Sequence, residues 1–234
     1  MTEIPLPSFE ILTKFYNWLT EQAKVWFFVV SDTKTFLSGL DLNSTTTLGR
    51  SVQLLSFSVA LIVVSTFPID ALLWRIRPFD ATATILDLIL IILSIIIFSV
   101  SVYLFSKCLL GKGRLAASIA SMFYATAFMP FLYLLHYLDR LDPDFRKLIL
   151  SGDYFGQSAI QTLYNPRSII VALIQLPVFI YVTIKIVNIV RFVHEIDIIR
   201  AIIVVCLAGI VEQSYEYVVL TPIFAEIVRD FGIH

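Results

Sequence analysis

The sequence has few charged residues and few cysteines, glycines and prolines. Charged residues make up 15% of its 234 residues, and only two residues are cysteines. Two cysteines are too few for a disulfide framework or a cysteine-rich metal site. Eight glycines and nine prolines exclude collagen-like and low-complexity chains. The formal charge of −1, with no basic stripe and no acidic run, argues against electrostatic binding of nucleic acid.

Apolar residues, in contrast, are in large excess. They form 58% of the chain, against about 45–50% in ordinary soluble domains. Because a soluble core of this size cannot hold the excess, a lipid bilayer is the expected solvent. A helix that crosses the roughly 30 Å hydrocarbon layer needs about 20 apolar residues. Segments of this character predict membrane spans at about residues 51–74, 81–106, 115–138, 167–190 and 199–225.

These spans predict an all-α fold, a polytopic integral membrane bundle of five transmembrane helices over residues 51–234. Residues 1–50 are predicted to form a cytoplasmic segment that contains an amphipathic helix over residues 8–30. Aromatic and aliphatic residues recur there at helical spacing, which suits the headgroup layer of a bilayer. The same pattern also fits a helix packed on the protein's own inner face, and it leaves both placements open.

The distribution of lysine and arginine predicts the orientation of the spans. With the N-terminus inside, ten of these residues fall on the cytoplasmic side and seven outside. The short loop from Lys107 to Arg114 is purely basic, as a short inside loop should be. We therefore expect a multi-pass integral membrane protein with a cytoplasmic N-terminus and its C-terminus outside.

The sequence has none of the common motifs of enzymes. It lacks a Walker loop, a dinucleotide-binding glycine pattern, a zinc-protease helix and a nucleophile elbow. The tripeptide at residues 111–113 is too short for a phosphate loop and is interpreted as a tight basic turn. His136 and His194 are expected on opposite sides of the membrane, where they cannot share a metal. We expect no catalytic residues, no cofactor and no metal site.

Three acidic residues fall inside the predicted spans, namely Asp87, Glu212 and Glu216. Ionisable residues are costly in a membrane and are therefore candidates for function. The helical rise places all three in the outer half of the membrane, where we expect them to face the bundle interior or a water-filled recess. Arg75 or Arg77 is the expected partner. A static polar cluster that locks the helices and an ion or proton path both fit this pattern.

Two short segments resemble a known membrane-protein family. Leu109–Gly113 opens a span that contains Tyr124 and then Pro130, and this order resembles the third-helix pattern of the Yip family, the Ypt/Rab-interacting-protein membrane domain. Val193–Asp197, followed by Arg200, resembles the family's turn between the fourth and fifth helices. The number and order of the spans are similar as well.

The resemblance extends over roughly residues 25–222 and implies a non-enzymatic polytopic protein with a cytosolic N-terminus. Eukaryotic members are linked to vesicle trafficking and small GTPases at ER and Golgi membranes. With about 50 residues before its first span, this chain is similar to a compact bacterial-type member. The expected location is the cell (plasma) membrane in a bacterium and the ER or Golgi membrane in a eukaryote.

The leading hypothesis for function is a membrane-organising or partner-binding subunit, similar to a trafficking adaptor. Its partner is expected to be a membrane or cytoplasmic protein within a larger complex, and not a nucleic acid. The alternative is a small transporter or channel that uses the outer-half intramembrane acids. The candidate contact residues lie in the predicted cytoplasmic turns and are Gly111, Lys112, Gly113, Arg114, His194 and Arg200.

Overall fold

The structure is a computed structural model, and it describes residues 9–74, 81–132, 166–215, 218–219 and 222. Side chains are described at residues 10–64, 89–132, 170, 173–215, 218–219 and 222. The α-helices in this part of the chain are α1 (Phe9–Ser31), α2 (Thr33–Ser38), α3 (Thr45–Trp74), α4 (Ala81–Cys108), α5 (Leu115–Ala125), α6 (Pro166–His194) and α7 (Ile198–Tyr215).

Five helical segments of the described chain are long and apolar enough to cross a bilayer. The predicted all-α, five-span membrane bundle is therefore confirmed. The predicted ends at residues 133–138 and most of 216–225 lie outside the described residues. The segments are Thr45–Val64, Ile89–Cys108, Leu115–Leu132, Leu173–His194 and Ile198–Tyr215.

The first span begins earlier than hydropathy alone predicts. Its helix, α3, begins at Thr45 and not near Ser51. The hydroxyl of Ser44 accepts a hydrogen bond from the backbone N–H of Thr46 at 3.2 Å, which satisfies one free donor at the helix start. The first turns of α3 contain threonine, glycine and arginine. They are helical, but their low hydropathy did not mark them as part of a membrane span.

The third span is the centre of the bundle. About 67% of it is buried, against 17–33% for the other four spans. Small buried residues such as Ala117, Ala120 and Ser121 let neighbouring helices approach closely. The hydroxyl of Ser118 also donates to the backbone carbonyl of Ser99 in α4 at 2.9 Å. The third span thus joins its neighbours by close packing and by a hydrogen bond between helices.

Two positions that carry the family resemblance, Tyr124 and Pro130, are both buried in this span. The Tyr124 hydroxyl donates to the carbonyl of Thr47 at 3.3 Å, which ties the third span to the first. Proline has no N–H for the carbonyl four residues earlier. That carbonyl, on Thr126, instead accepts from the N–H of Met129, so the segment Thr126–Phe128 is a 3-10 turn.

The N-terminal helix α1 packs along the bundle. Its Gln22 amide donates to the side chain of Gln53 at 3.4 Å, and Trp18 makes an edge contact with Phe57 one turn further along α3. These pairs advance in opposite directions, so α1 and α3 run antiparallel here. Val29 is completely buried, so α1 contributes to the core. Val25, Trp26 and Val30 are partly buried against the same core. The exposed apolar side chains of α1 are Ile11, Leu12, Phe15, Tyr16, Phe27 and Phe28.

Candidate functional site

Two connecting turns meet at one end of the bundle. Because consecutive spans alternate in direction, the α4–α5 turn and the α6–α7 turn lie at the same end. The N–H of Lys112 donates to the carbonyl of His194 at 2.9 Å, and the Arg200 guanidinium donates to the carbonyl of Leu109 at 3.3 Å. We call residues 107–114 and 194–200 the turn platform.

Both turns begin with the same backbone motif. At the end of α4, the N–H of Gly111 donates to the carbonyl of Ser106 at 2.7 Å, and Leu110 has a left-handed φ of 65°. At the end of α6, the N–H of Ile196 donates to the carbonyl of Arg191 at 3.3 Å, and Glu195 has a φ of 51°. The bond at α4, with that of Leu110 to Lys107, is the Schellman arrangement.

The left-handed positions of these motifs are usually occupied by glycine, since it has no Cβ to clash. Here they are occupied by leucine and glutamate. A left-handed residue other than glycine costs roughly 1–2 kcal/mol. Leu110 is moreover 80% exposed, so packing of its side chain in the described residues does not offset that cost.

Gly113 is the point of closest approach between the turns. A Cβ at this position would lie 2.8 Å from the carbonyl oxygen of Val193 and would collide with the ring of His194. His194 is completely buried beneath the turn. Its side chain therefore supports the platform from inside, while Lys112, Arg114 and Arg200 are the predicted contact residues whose side chains are exposed.

Two ion pairs cross the surface of the platform. Lys112 lies 3.0 Å from the Glu195 carboxylate and joins the two turns. Arg200 lies 3.0 Å from Asp197. The backbone N–H of Arg200 also donates to that carboxylate at 3.0 Å, and this bond, followed by the charge of Arg200, lowers the pKa of Asp197. Exposed pairs contribute about 0–1 kcal/mol each, so they orient the platform more than they stabilise it.

A cleft of about 880 Å³ opens beside the platform. Its walls are the segment from Asp32 to Asn43, the start of α5, the last turns of α6 and the adjoining turn residues. Five basic and three acidic side chains line it, and we call it the basic cleft. The basic residues are Lys34, Lys112, Arg114, Lys185 and Arg191; the acidic residues are Asp32, Asp41 and Glu195.

Each acidic side chain of the basic cleft is engaged by a nearby donor. Asp32 caps α2 by accepting from the N–H of Thr35 at 3.1 Å, and Asp41 accepts from the N–H of Asn43 at 3.1 Å. Hydrogen bonds from Thr35, followed by the charges of Lys185 and Lys34, lower the pKa of Asp32. Glu195 is paired with Lys112.

Three basic side chains of the cleft have no carboxylate partner among the described residues, namely Lys34, Arg114 and Arg191. The nitrogen of Lys185 lies 5.3 Å from the centroid of the Tyr181 ring, a distance typical of cation–π contacts. The cleft thus keeps a surplus of positive charge.

The predicted outer-half acidic cluster is described only in part. Glu212 is half-buried and accepts from the hydroxyl of Ser94 at 2.6 Å, which links α7 to α4. Asp87 belongs to α4, but its side chain is not among those described. Arg75, Arg77 and Glu216 lie outside the described residues, so their pairing with these acids stays a prediction.

The sequence pointed to residues of both turns, which the structure brings together, and their role as a partner contact stays a prediction. It did not point to the conformations of Leu110 and Glu195 or to the basic cleft. The glycine signal at residue 111 pointed to a helix end, yet the left-handed residue is the one before it. The cleft depends on contact between the segment around α2 and α6, which are about 150 residues apart. No local pattern reports such a contact. The sequence shows only that basic residues such as Lys34 and Arg191 lie in or next to these elements.

Comparison of the chain with protein-family models, with curated proteins and with solved structures finds no match. The resemblance to the Yip family therefore stays a prediction.

Proposed function

We propose that the protein is a non-enzymatic, membrane-organising or partner-binding subunit and that the turn platform contacts a protein partner. The observation that carries this proposal is Leu110, an exposed apolar residue held in a left-handed conformation. The helix end needs a left-handed residue at this position, but glycine would adopt that conformation without strain. Residues held in strained backbone conformations are concentrated at functional sites. The presence of leucine where glycine would be less strained supports a role for the leucine side chain in contacting a partner.

The rigidity of the platform supports the same proposal. The bond from Lys112 to the carbonyl of His194, and that from Arg200 to Leu109, fix the two turns relative to each other. A surface that is ordered before binding loses less conformational entropy when a partner binds. The ion pairs of the platform, Lys112–Glu195 and Arg200–Asp197, supply charged groups of the kind that surround an apolar contact in many interfaces.

We also propose that the platform faces the cytoplasm of a multi-pass membrane protein. Basic residues are concentrated at this end of the described bundle, including Lys107, Lys112, Arg114, Arg191 and Arg200. An excess of lysine and arginine near the ends of spans is typical of the cytoplasmic side. The membrane is the cell membrane if the source is bacterial, and the ER or Golgi membrane if it is eukaryotic.

A photo-crosslinking amino acid at residue 110 tests the proposal in living cells. We expect a discrete crosslinked protein band from this position and none from residue 179, because Phe179 is exposed on the apolar surface of α6. Reversing two charges of the platform with Lys112→Glu and Arg200→Glu should abolish the band while the protein remains in the membrane. Identical products from residues 110 and 179 would contradict the proposal.

A small transporter or channel is the second candidate function, and Glu212 is the observation that favours it. An ionisable residue inside a span is a functional candidate by default, and this one bonds across two helices. Flux of protons or cations into liposomes that contain the purified protein tests this candidate. Transport predicts that Glu212→Gln abolishes flux without loss of thermal stability. If neither the unmodified protein nor the variant shows flux, and the variant is less stable, Glu212 has a structural role.

A further inference from the structure

We propose that the basic cleft binds a phosphate ester and that this phosphate belongs to the headgroup of an anionic phospholipid. The two surfaces share Lys112, Arg114 and Glu195, but the inference does not need a protein partner, because the cleft is a separate concave space beside the exposed Leu110. Five basic side chains face three acidic ones in the cleft. The lining therefore carries a formal surplus of two positive charges, which attracts an anion that enters the cleft.

Two of these cations are arginines, and their geometry suits phosphate. Arg114 and Arg191 are exposed, lie on the wall of the cleft and have no carboxylate partner among the described residues. A guanidinium offers paired N–H donors that match two phosphate oxygens. Arg114 also precedes α5 and leaves its first turn without a side-chain cap. The free N–H groups of that turn add to the attraction of an anion.

The apolar part of the cleft distinguishes a lipid from a soluble phosphate. Leu40, Leu42 and Phe192 line the same space as the cations and keep exposed apolar surface there, with Phe192 40% exposed. A phospholipid presents a phosphate next to acyl chains and can satisfy both kinds of wall, whereas a soluble phosphate ester leaves the apolar wall exposed to water. The mixed lining therefore favours the lipid.

The depth of the cleft fits a headgroup as well. Lys185 lies nine residues before His194 on α6, which is about 14 Å at the helical rise of 1.5 Å per residue. The cleft therefore extends from the turn end of the bundle along the side of a membrane span. If the spans cross a bilayer with the turns at its surface, the cleft lies at the level of the lipid phosphates, and a lipid can enter it sideways from its own leaflet.

The test uses the full-length protein in nanodiscs of phosphatidylcholine with and without phosphatidylglycerol. Retained phosphatidylglycerol is measured by native mass spectrometry after release into detergent. We expect the unmodified protein to retain phosphatidylglycerol selectively. The variant Arg114→Gln/Arg191→Gln should retain it on the order of tenfold less, which corresponds to about 1.4 kcal/mol, since it removes both guanidinium groups that can pair with phosphate oxygens.

A matched control separates the cleft from bulk charge. Lys24→Gln/Arg50→Gln removes the same charge from exposed positions that do not line the cleft, and it should retain the lipid as the unmodified protein does. A second variant, Asn188→Glu, places a negative charge on the wall of the cleft without removing any cation. It should also lose the lipid, and it keeps the proposal testable if the double arginine variant does not fold.

Three results would overturn the proposal. The first is equal loss of lipid in the control and the arginine variant, which indicates attraction by net charge alone. The second is undiminished retention in both folded cleft variants. The third is displacement of phosphatidylglycerol by millimolar glycerol phosphate as readily as by added lipid, which assigns the site to a soluble phosphate ester. Crosslinking from residue 110 is measured separately, so failure here leaves the platform's role intact.

Discussion

Leu110 and Glu195 occupy equivalent positions in two different turns. Each has a left-handed backbone, with φ of 65° and 51°, and each precedes a residue whose N–H returns to the carbonyl five residues earlier. The two turns then meet through Lys112, which bonds to the carbonyl of His194 and pairs with Glu195 itself. One end of the bundle is thus built from a repeated motif that is strained in both copies.

Replacing the strained leucine with glycine should stabilise the protein. Leu110→Gly removes the Cβ clash, so we expect a gain of about 1 kcal/mol in the free energy of unfolding. Thermal unfolding in detergent measures this effect. The control is Leu104→Gly, since Leu104 is exposed within α4, and this variant should lower the free energy of unfolding by about 1 kcal/mol. If both variants are less stable than the unmodified protein, the backbone of Leu110 is not strained.

A methyl group at residue 113 should push the two turns apart. Gly113→Ala places a Cβ against Val193 and His194, so we expect a loss of about 1–3 kcal/mol. Gly49→Ala is the control, since a Cβ there meets nothing within 4 Å and Gly49 lies inside α3. It should raise stability by about 0.5–1 kcal/mol. Equal thermal midpoints for the two variants would show that the turns are not in close contact.

Because α1 packs into the core on one side only, substitutions at a buried and at an exposed residue of this helix should differ in their effect on stability. Val29→Ala removes buried packing and should lower stability by about 2 kcal/mol. Leu12→Ala changes an exposed side chain of the same helix and should change the stability of the detergent-solubilised protein by less than about 0.5 kcal/mol. If α1 only rests on the membrane surface, the two variants will unfold at the same temperature.

Acid should weaken the platform through Asp197. Its pKa in the folded protein is below the ordinary 3.8, chiefly because the N–H of Arg200 donates to it. A carboxyl group whose pKa is lower in the folded than in the unfolded protein stabilises the fold at pH values above its unfolded pKa. This contribution is lost as the pH falls through the pKa of the folded protein. Asp197→Asn should therefore reduce the fall in thermal midpoint below about pH 3.8, by a small amount since the group is exposed. Parallel pH profiles would contradict this assignment.

Hydropathy alone predicted the spans, because a segment such as Ile89–Cys108 has no other stable environment. It did not predict the start of α3, whose first turns are polar and are held by the cap at Ser44. Basic residues at 112 and 200 pointed to the platform, since charge near span ends is a local signal. The conformation of Leu110 and the cleft around Arg191 depend on long-range packing, and no local pattern contains it.

We expect the turn platform to lie at the cytoplasmic end of the five-span bundle, where a protein partner and lipid phosphates can reach it. Cysteine labelling tests this orientation. In a background of Cys108→Ser and Cys206→Ser, Lys112→Cys presents one thiol on the exposed platform. A membrane-impermeant maleimide should label this thiol in inverted vesicles and leave it unlabelled in intact cells. Labelling in intact cells, with none in inverted vesicles, would contradict the account.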